Sequence, residues 1–177
     1  MNGDLLMAVY DTVGAMWTVT PLDAQVATDT GQWSSLGVAA DGSVHVAFQD
    51  AVEDSLRYLT WTAGTISGIE MVDDGIRSQD RNHPVGAASA VIIEPSGTVA
   101  IVYQDAAQSD LLFARRDGAG VWTHGDLLAG EPGYGFYNAA VSEGRPGMGR
   151  HLRLRPREVS ARRGVDRQPA LASMPIA

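Results

Sequence analysis

Apolar and polar residues alternate along two well-separated stretches of the chain. Residues 44–48 place Val or Phe at every second position, and residues 99–103 repeat this pattern with Val, Ile and Tyr. A period of two residues is typical of a β-strand with one buried face. A turn dipeptide precedes each stretch, Asp41-Gly42 in the first case, and such dipeptides are typical of hairpins. The pattern therefore predicts short antiparallel strands joined by tight turns.

The chain also repeats itself with a period of 55 residues. When residues 31–58 are placed over residues 86–113, eight of 28 positions are identical and the alternation stays in phase. Each copy is interpreted as three strands with a fourth after them, near residues 66–72 and 122–128, and a fourth strand near residues 17–22 is predicted for the partial unit before the first copy. Four short strands in about 50 residues are typical of a propeller blade. We therefore predict an all-β fold, a partial β-propeller of four-stranded antiparallel blades, with two complete blades and partial flanking ones within residues 1–144.

A longer motif carries a family resemblance. The run Gly-x-x-Ser-x-Leu-x-x-x-x-Asp-Gly-x-Val-x-Val-x-Phe-x-Asp begins at Gly31 and is followed by Ser-Leu-Arg-Tyr. It resembles the tandem repeats of large exported bacterial β-propeller proteins, some of them sialidase-like. The resemblance implies a secreted or cell-surface protein that binds carbohydrate or protein. Neither copy contains the Ser-x-Asp-x-Gly-x-x-Trp box of sialidases, or a clear WD or kelch signature, so the motif indicates an architecture and no particular activity.

The C-terminal part of the chain has a different composition. Residues 1–144 carry 5 Arg against 19 Asp and Glu, a net charge of −14, whereas residues 145–177 carry 8 Arg against 2 acidic residues, a net charge of +6. An acidic body repels phosphate backbones, so we expect no nucleic-acid partner. The Arg- and Pro-rich tail is predicted to be disordered, or to result from a frameshift near Gly144. The alternative is a functional basic arm that binds acidic partners.

Several kinds of site and location find no support in the sequence. The chain has no Cys, which excludes disulfides and thiolate-bound zinc. No apolar run has the roughly 18–20 residues of a membrane span, and residues 1–4 show no signal-peptide pattern. No catalytic motif surrounds the four His residues, so we predict a non-catalytic protein without metal or cofactor, although a Ca²⁺ contact stays open. The alternatives are a fragment of a propeller glycoside hydrolase or lyase, or a non-functional gene fragment.

The pairs Gln49-Asp50 and Gln104-Asp105 are the strongest polar candidates for binding. They end the second strand of each copy, so a closed ring would present them as a repeated polar rim. The alternative is that each Asp begins a turn, where its carboxylate accepts hydrogen bonds from backbone N–H groups two residues on.

One connection, residues 73–83, is longer than its counterparts in the other copies. Loops that outgrow their repeat often carry binding function, because packing of the scaffold does not require them. Its acidic residues, Asp73, Asp74 and Asp80, are therefore predicted to contact a sugar or a cation. The alternative is a solvated loop with internal ion pairs.

The Trp residues are expected to divide between packing and binding. Trp33 lies beside the Gly31 turn and has Ala88 as its counterpart, so we expect an exposed ring that can stack on a ligand. Trp17 and Trp122 lie near the fourth strand of a blade and are expected to pack between blades.

The number of blades predicts the remaining partners. About three blades are too few to close a ring of four to eight, so the end blades should expose apolar faces. We therefore expect either the remaining blades of a propeller or self-association to cover them.

Overall fold

The computed structural model describes residues 4–23, 29–77, 82–94, 96–130, 133–143, 151–154 and 172–175. These residues contain strands and turns but no helix, which confirms the all-β prediction. The strands are β1 (Leu5–Asp11), β2 (Met16–Asp23), β3 (Thr30–Val38), β4 (Val44–Asp50), β5 (Ser55–Thr62), β6 (Thr65–Ile66), β7 (Glu70–Asp73), β8 (Val85–Ile93), β9 (Val99–Asp105), β10 (Asp110–Arg116), β11 (Trp122–Leu128), β12 (Ala140–Glu143), β13 (His151–Leu154) and β14 (Ala172–Pro175).

The strands form four antiparallel sheets in chain order. Sheet 1 is the β1–β2 hairpin, sheet 2 has the order β3-β4-β5-β6 with β7 also on β5, sheet 3 has the order β8-β9-β10-β11, and sheet 4 has the order β12-β13-β14. The fourth strand predicted at residues 66–72 is divided into β6 and β7. Ser67 interrupts it, because its N–H donates to the Thr60 carbonyl while its hydroxyl accepts the Thr60 N–H.

Sheets 2 and 3 share backbone irregularities at positions 55 residues apart. The first strand of each sheet shifts its register twice against the second strand, at matching positions. The φ angles are +97° at Gly31, +96° at Gly86 and +90° at Gly135, and +50° at Trp33, +49° at Ala88 and +54° at Tyr137. Bulges of this kind re-aim a strand and its side chains. The same pair of positive φ angles therefore opens sheet 2, sheet 3 and the segment that leads into sheet 4.

Consecutive sheets stack face to face, and the core lies between them. Between sheets 1 and 2 the buried apolar side chains are Leu5, Met7, Leu22, Val46, Phe48 and Leu59. Between sheets 2 and 3 they include Leu56, Tyr58, Val72, Ile101, Tyr103 and Leu112. Gly86 allows the second contact, because a Cβ there would lie 3.2 Å from the Cα of Leu56. The arrangement is consistent with neighbouring propeller blades, which bury their sheet faces against each other.

The basic tail contributes two of the fourteen strands. β13 and β14 lie within it, and β13 pairs with β12 on one side and β14 on the other. The other residues of the tail lie outside the described residues, so the disorder proposed for them stays a prediction. Within the described part of the chain, no helix has the length and apolar character needed to cross a bilayer.

Candidate functional site

The two repeated Gln side chains link neighbouring sheets. Gln49 Nε2 donates a hydrogen bond to the carbonyl of Val85, 3.1 Å away at the start of sheet 3. Gln104 Nε2 donates to the carbonyl of Tyr134 at 3.4 Å, in the segment that leads into sheet 4. Both acceptors directly precede a glycine with positive φ, Gly86 or Gly135. The repeated Gln therefore fastens the opening bulge of the next sheet.

The Asp residues of the same pairs shape the hairpins that follow. Asp50 Oδ1 accepts the N–H groups of Val52 and Glu53 at 3.0 and 3.3 Å. Asp105 Oδ1 accepts the corresponding N–H groups of residues 107 and 108 at 2.9 and 3.2 Å. These contacts are those of the turn-forming alternative. Because both carboxyl groups are buried, their first role is to hold the hairpin.

A buried charged cluster connects sheet 2 to sheet 3. Asp73 accepts hydrogen bonds from Arg77 Nη1 and Nη2, both at 2.9 Å, and from the Tyr103 hydroxyl at 2.8 Å. Burial alone would raise the pKa of Asp73, but the hydrogen bonds from Arg77, the Gly75 N–H and Tyr103 outweigh it and lower that pKa. Burial, together with the charge of Asp73, raises the pKa of Tyr103. The carboxylate is therefore held ionised next to a neutral phenol.

The long connection is fastened at its other end by His83. Its ring nitrogen Nδ1 lies 2.6 Å from Asp105 Oδ2. Its backbone N–H donates a hydrogen bond to the carbonyl of Gly75 at 3.1 Å. Arg77 Nη2 also lies 3.9 Å from Asp105 Oδ2, so it bridges the two carboxylates Asp73 and Asp105. The structure thus brings together two of the residues singled out from the sequence. It does so in a buried network that positions the loop.

The other acidic residues of this loop have different settings. Asp74 is exposed and its Oδ1 accepts the N–H of Ile76 at 3.0 Å. Asp80 lies outside the described residues. Among the described residues, no group of three or more His, Asp or Glu side chains is placed to hold a metal ion.

Trp33 forms an exposed aromatic pair that the sequence did not reveal as a pair. Its ring centroid lies 6.2 Å from that of Tyr137, with the ring planes at 69°. Trp33 is 47% exposed and Tyr137 63% exposed. The two residues hold the same position of the bulge in sheet 2 and before sheet 4, and Ala88 holds it in sheet 3. The pair is therefore set by the stacking of three consecutive sheets.

A second aromatic and charged cluster was missed by sequence reasoning. Arg116 donates to Glu70 from Nε at 2.9 Å and from Nη2 at 2.8 Å, and Trp122 Nε1 donates to the same carboxylate at 2.8 Å. The Trp122 ring packs edge-on against Tyr58 with centroids 5.1 Å apart. Although burial raises the pKa of Glu70, the hydrogen bonds from Arg116 and Trp122 lower it overall. The one signal in the sequence was the pair Arg115-Arg116 that ends strand β10 after the apolar residues 111–114.

This cluster borders a groove of about 200 Å³ at the turn ends of sheet 3. The residues that line it are Ser96, Gly97, Thr98, Val99, Arg116, Asp117 and Gly118. Two N–H donors of Arg116, in sheet 3, already bind Glu70, in sheet 2. The main role of the cluster is therefore to link these two sheets.

A chain of hydrogen bonds runs from the surface to the buried Tyr58. Ser43 donates its hydroxyl proton to Asp41 at 2.6 Å and therefore accepts from His45 Nε2, 3.1 Å away. His45 Nδ1 is then free to accept from the Tyr58 hydroxyl. Burial lowers the pKa of His45 and raises that of Tyr58 to about 12. Both groups are neutral near pH 7, and His45 belongs to the packing of sheet 2.

The two remaining Trp predictions have different outcomes. Trp122 packs between sheets 2 and 3, as expected. Trp17 is 65% exposed, so the prediction that it packs in the core is wrong for this structure. The physical reason is that its ring lies on the side of sheet 1 that faces away from sheet 2, where it contacts Tyr10 with centroids 5.1 Å apart.

No family model matches the chain, and no curated protein matches it. A solved structure described as a fucose lectin from Kordia zhangzhouensis in complex with methyl-fucoside is similar, with 15% sequence identity and a TM-score of 0.42. The likeness covers 68% of this chain and 81% of that chain. At this TM-score it carries no inference about function.

Proposed function

We propose that this protein is a non-catalytic, carbohydrate-binding β-propeller module in which Trp33 and Tyr137 form the platform that stacks on a sugar ring. The observation that carries the proposal is the exposed pair itself, with ring centroids 6.2 Å apart. A pyranose presents a face of C–H groups that packs on an aromatic ring, and aromatic side chains supply large contact areas at low entropy cost.

Backbone strain at both residues supports a role in binding. Trp33 and Tyr137 have φ angles of +50° and +54°, a region that bulky side chains rarely occupy. Such positions cost about 1–3 kcal/mol and cluster at functional sites. Ala88 has the same φ within the same bulge, so the backbone does not need a large ring there. An aromatic residue at two of the three positions is therefore better explained by a ligand than by folding.

Polar groups next to Trp33 suit a hydroxylated ligand. Gln32 and Ser34 flank it in the chain and are exposed. The Gln32 amide donates to Asp29 Oδ2 at 3.1 Å, so the residue before Trp33 is paired with a carboxylate. Sugar recognition commonly combines an aromatic face with a small number of such polar groups.

The setting of this site is also part of the proposal. We take the stacked sheets to be blades of a propeller, and we place the protein outside the cell or on its surface, as the sequence resemblance implies. The repeated Gln-Asp pairs then hold the blades together, and Trp33 with Tyr137 lies at the end of the blades where those pairs lie.

A glycan array followed by isothermal titration calorimetry on the best ligand tests the proposal. Trp33→Ala and Tyr137→Ala should each weaken binding at least about tenfold, because each removes a ring from the platform. Val13→Ala is the matched control, since it shortens an exposed apolar side chain in the β1–β2 turn. Because Ala88 holds the same position with the same φ in sheet 3, we expect Trp33→Ala to fold normally. Binding that is unchanged in both ring variants, or no response on the array, would overturn the proposal.

A further inference from the structure

Sheet 1 presents an uncharged apolar surface that faces away from the rest of the molecule. Tyr10 pairs with Trp17, Ala8 with Val19 and Leu6 with Pro21, so these side chains share one side of the hairpin. We call this surface the upstream face, and it consists of Leu6, Ala8, Tyr10, Trp17, Val19 and Pro21. All six residues are exposed. Contiguous apolar area of this kind marks an interaction surface.

Sheet 3 shows what covers such a surface. Leu112 and Ala114 occupy the positions of Leu6 and Ala8, because both hairpins have a register shift just before the Leu. Both are buried against sheet 2. The position of Trp17 is held by Trp122, which packs on Tyr58 of sheet 2. The covering surface is therefore the outer part of another sheet of the same kind.

The inner part of sheet 2 is uncovered on the same side. Leu36 and Val38 of β3 are 60% and 62% exposed. Their counterparts in sheet 3, Val91 and Ile93, are half-buried, and a Cβ at Gly37 of β3 would lie 3.4 and 3.2 Å from their side chains. Sheet 2 thus lacks the neighbouring first strand that sheet 3 has.

The opposite end of the array offers the complementary surface. On the far side of sheet 3, Tyr134 and Ala140 pack over the inner part, while Phe113 and Leu127 on the outer strands stay half-buried. Sheet 4 has β12 and β13 in the places of a first and second strand. Sheet 1 corresponds to the third and fourth strands of a four-stranded unit, because β1 and β2 pair as β10 and β11 do in sheet 3.

We infer that a second copy of this chain docks head to tail on the upstream face, and that two copies close one ring. The β12–β13 hairpin of one copy then lies beside β1 of the other and covers Leu36 and Val38. Phe113 and Leu127 of the first copy cover the upstream face of the second copy. In the single chain β14 pairs with the edge of β13 that β1 of the second copy takes in the ring, so closure requires β1 to replace β14 at that edge.

The number of strands and the area agree with a closed ring. The described strands of each chain form two four-stranded units and two half-units, so two copies bring together six such units, within the four to eight of propellers. Six apolar side chains at this contact each expose on the order of 100 Å² of surface: Leu6, Tyr10, Trp17, Val19, Leu36 and Val38. Counting both partners, one contact would therefore bury more than about 1,000 Å², the size expected of a specific interface. A head-to-tail contact that closes gives a ring rather than a filament.

Light scattering coupled to size-exclusion chromatography, over a series of protein concentrations, tests the inference on the full chain. The wild type should have twice the mass of the chain. Trp17→Arg and Tyr10→Arg should raise the dimer dissociation constant at least about tenfold, because each places a charge in an apolar contact. Val13→Arg should leave the dimer intact, since Val13 is 95% exposed in the adjoining turn and outside the upstream face.

Variants at the other end separate head-to-tail docking from a symmetric contact. Phe113→Arg and Leu127→Arg should also dissociate the dimer, and circular dichroism shows whether each variant keeps its sheets. A monomeric wild type at every concentration would overturn the inference. So would a dimer that resists both downstream variants while Trp17→Arg dissociates it, because that result requires two upstream faces in contact. The saccharide-binding assays above are a separate test, since none of the residues substituted here belongs to the Trp33–Tyr137 pair.

Discussion

Substitution of Gly86 tests how closely sheets 2 and 3 approach each other. Gly86 has φ +96°, and a Cβ there would lie 3.2 Å from both the Cα and the Cβ of Leu56. The nearest of these contacts is backbone in the middle of a core, so it cannot move away as a flexible side chain would. Gly97 is the matched control, because its φ is +85° and a Cβ there would meet nothing within 4 Å.

The expected magnitudes follow from two separable costs. Gly97→Ala should lose about 1 kcal/mol of unfolding free energy, since Ala at positive φ costs about 1–2 kcal/mol and the lower entropy of the unfolded chain returns part of it. Gly86→Ala carries the same cost plus about 1–3 kcal/mol for overpacking against the backbone. We therefore expect Gly86→Ala to be less stable than Gly97→Ala by about 1–3 kcal/mol.

Urea unfolding followed by Trp fluorescence measures this difference. With a slope of about 2 kcal/mol per molar, the two midpoints should differ by roughly 0.5–1.5 M. Gly42→Ala provides a second control, with φ +86° and open space around the site. Equal midpoints for Gly86→Ala and both controls would refute the packing argument, because the positive φ alone would then account for the whole loss.

Two further predictions concern the links between sheets 2 and 3. Asp73→Asn should lower the free energy of unfolding by about 2–4 kcal/mol, because it leaves Arg77 without its main partner. As the control, Asp74→Asn at the exposed neighbouring residue should change it by less than about 0.5 kcal/mol. Because the pKa of Asp73 is lowered by folding, its stabilisation is present above the ordinary Asp pKa and is lost as the pH falls through the lowered value. Thermal melts should therefore show a smaller acid-side loss in Asp73→Asn than in wild type, and identical pH profiles would contradict this account. Trp122→Phe should cost about 1 kcal/mol in urea unfolding, since it removes the hydrogen bond to Glu70, while Trp33→Phe, on a ring that is 47% exposed, should cost less. Equal losses would show that the hydrogen bond to Glu70 adds nothing.

The candidate site illustrates the limits of a pattern. Gln49 and Gln104 were recognisable as a repeated pair, but their carbonyl acceptors lie 36 and 30 residues further along the chain. Trp33 was predicted to be exposed, and it is. Its partner Tyr137 lies 104 residues away, and it follows Gly135 as Trp33 follows Gly31, but the repeat does not predict that the two rings meet. Contacts between residues so far apart in the sequence depend on how the sheets stack, so the alternation of residues within one strand does not predict them.

The sequence by itself determined most strands of residues 1–144, their turns and their order into successive sheets, but not the two strands β13 and β14 of the tail. These follow from a period of two residues and from glycines at turns, both of which act over a few neighbouring positions. Only the tertiary structure decided that Asp73 and Asp105 share one arginine, that Glu70 binds Trp122, and that Trp17 is exposed while its equivalent Trp122 is partly buried. Equivalent positions in a repeat have the same local preferences, but burial depends on which sheet lies next to them, and that is a property of the assembled stack.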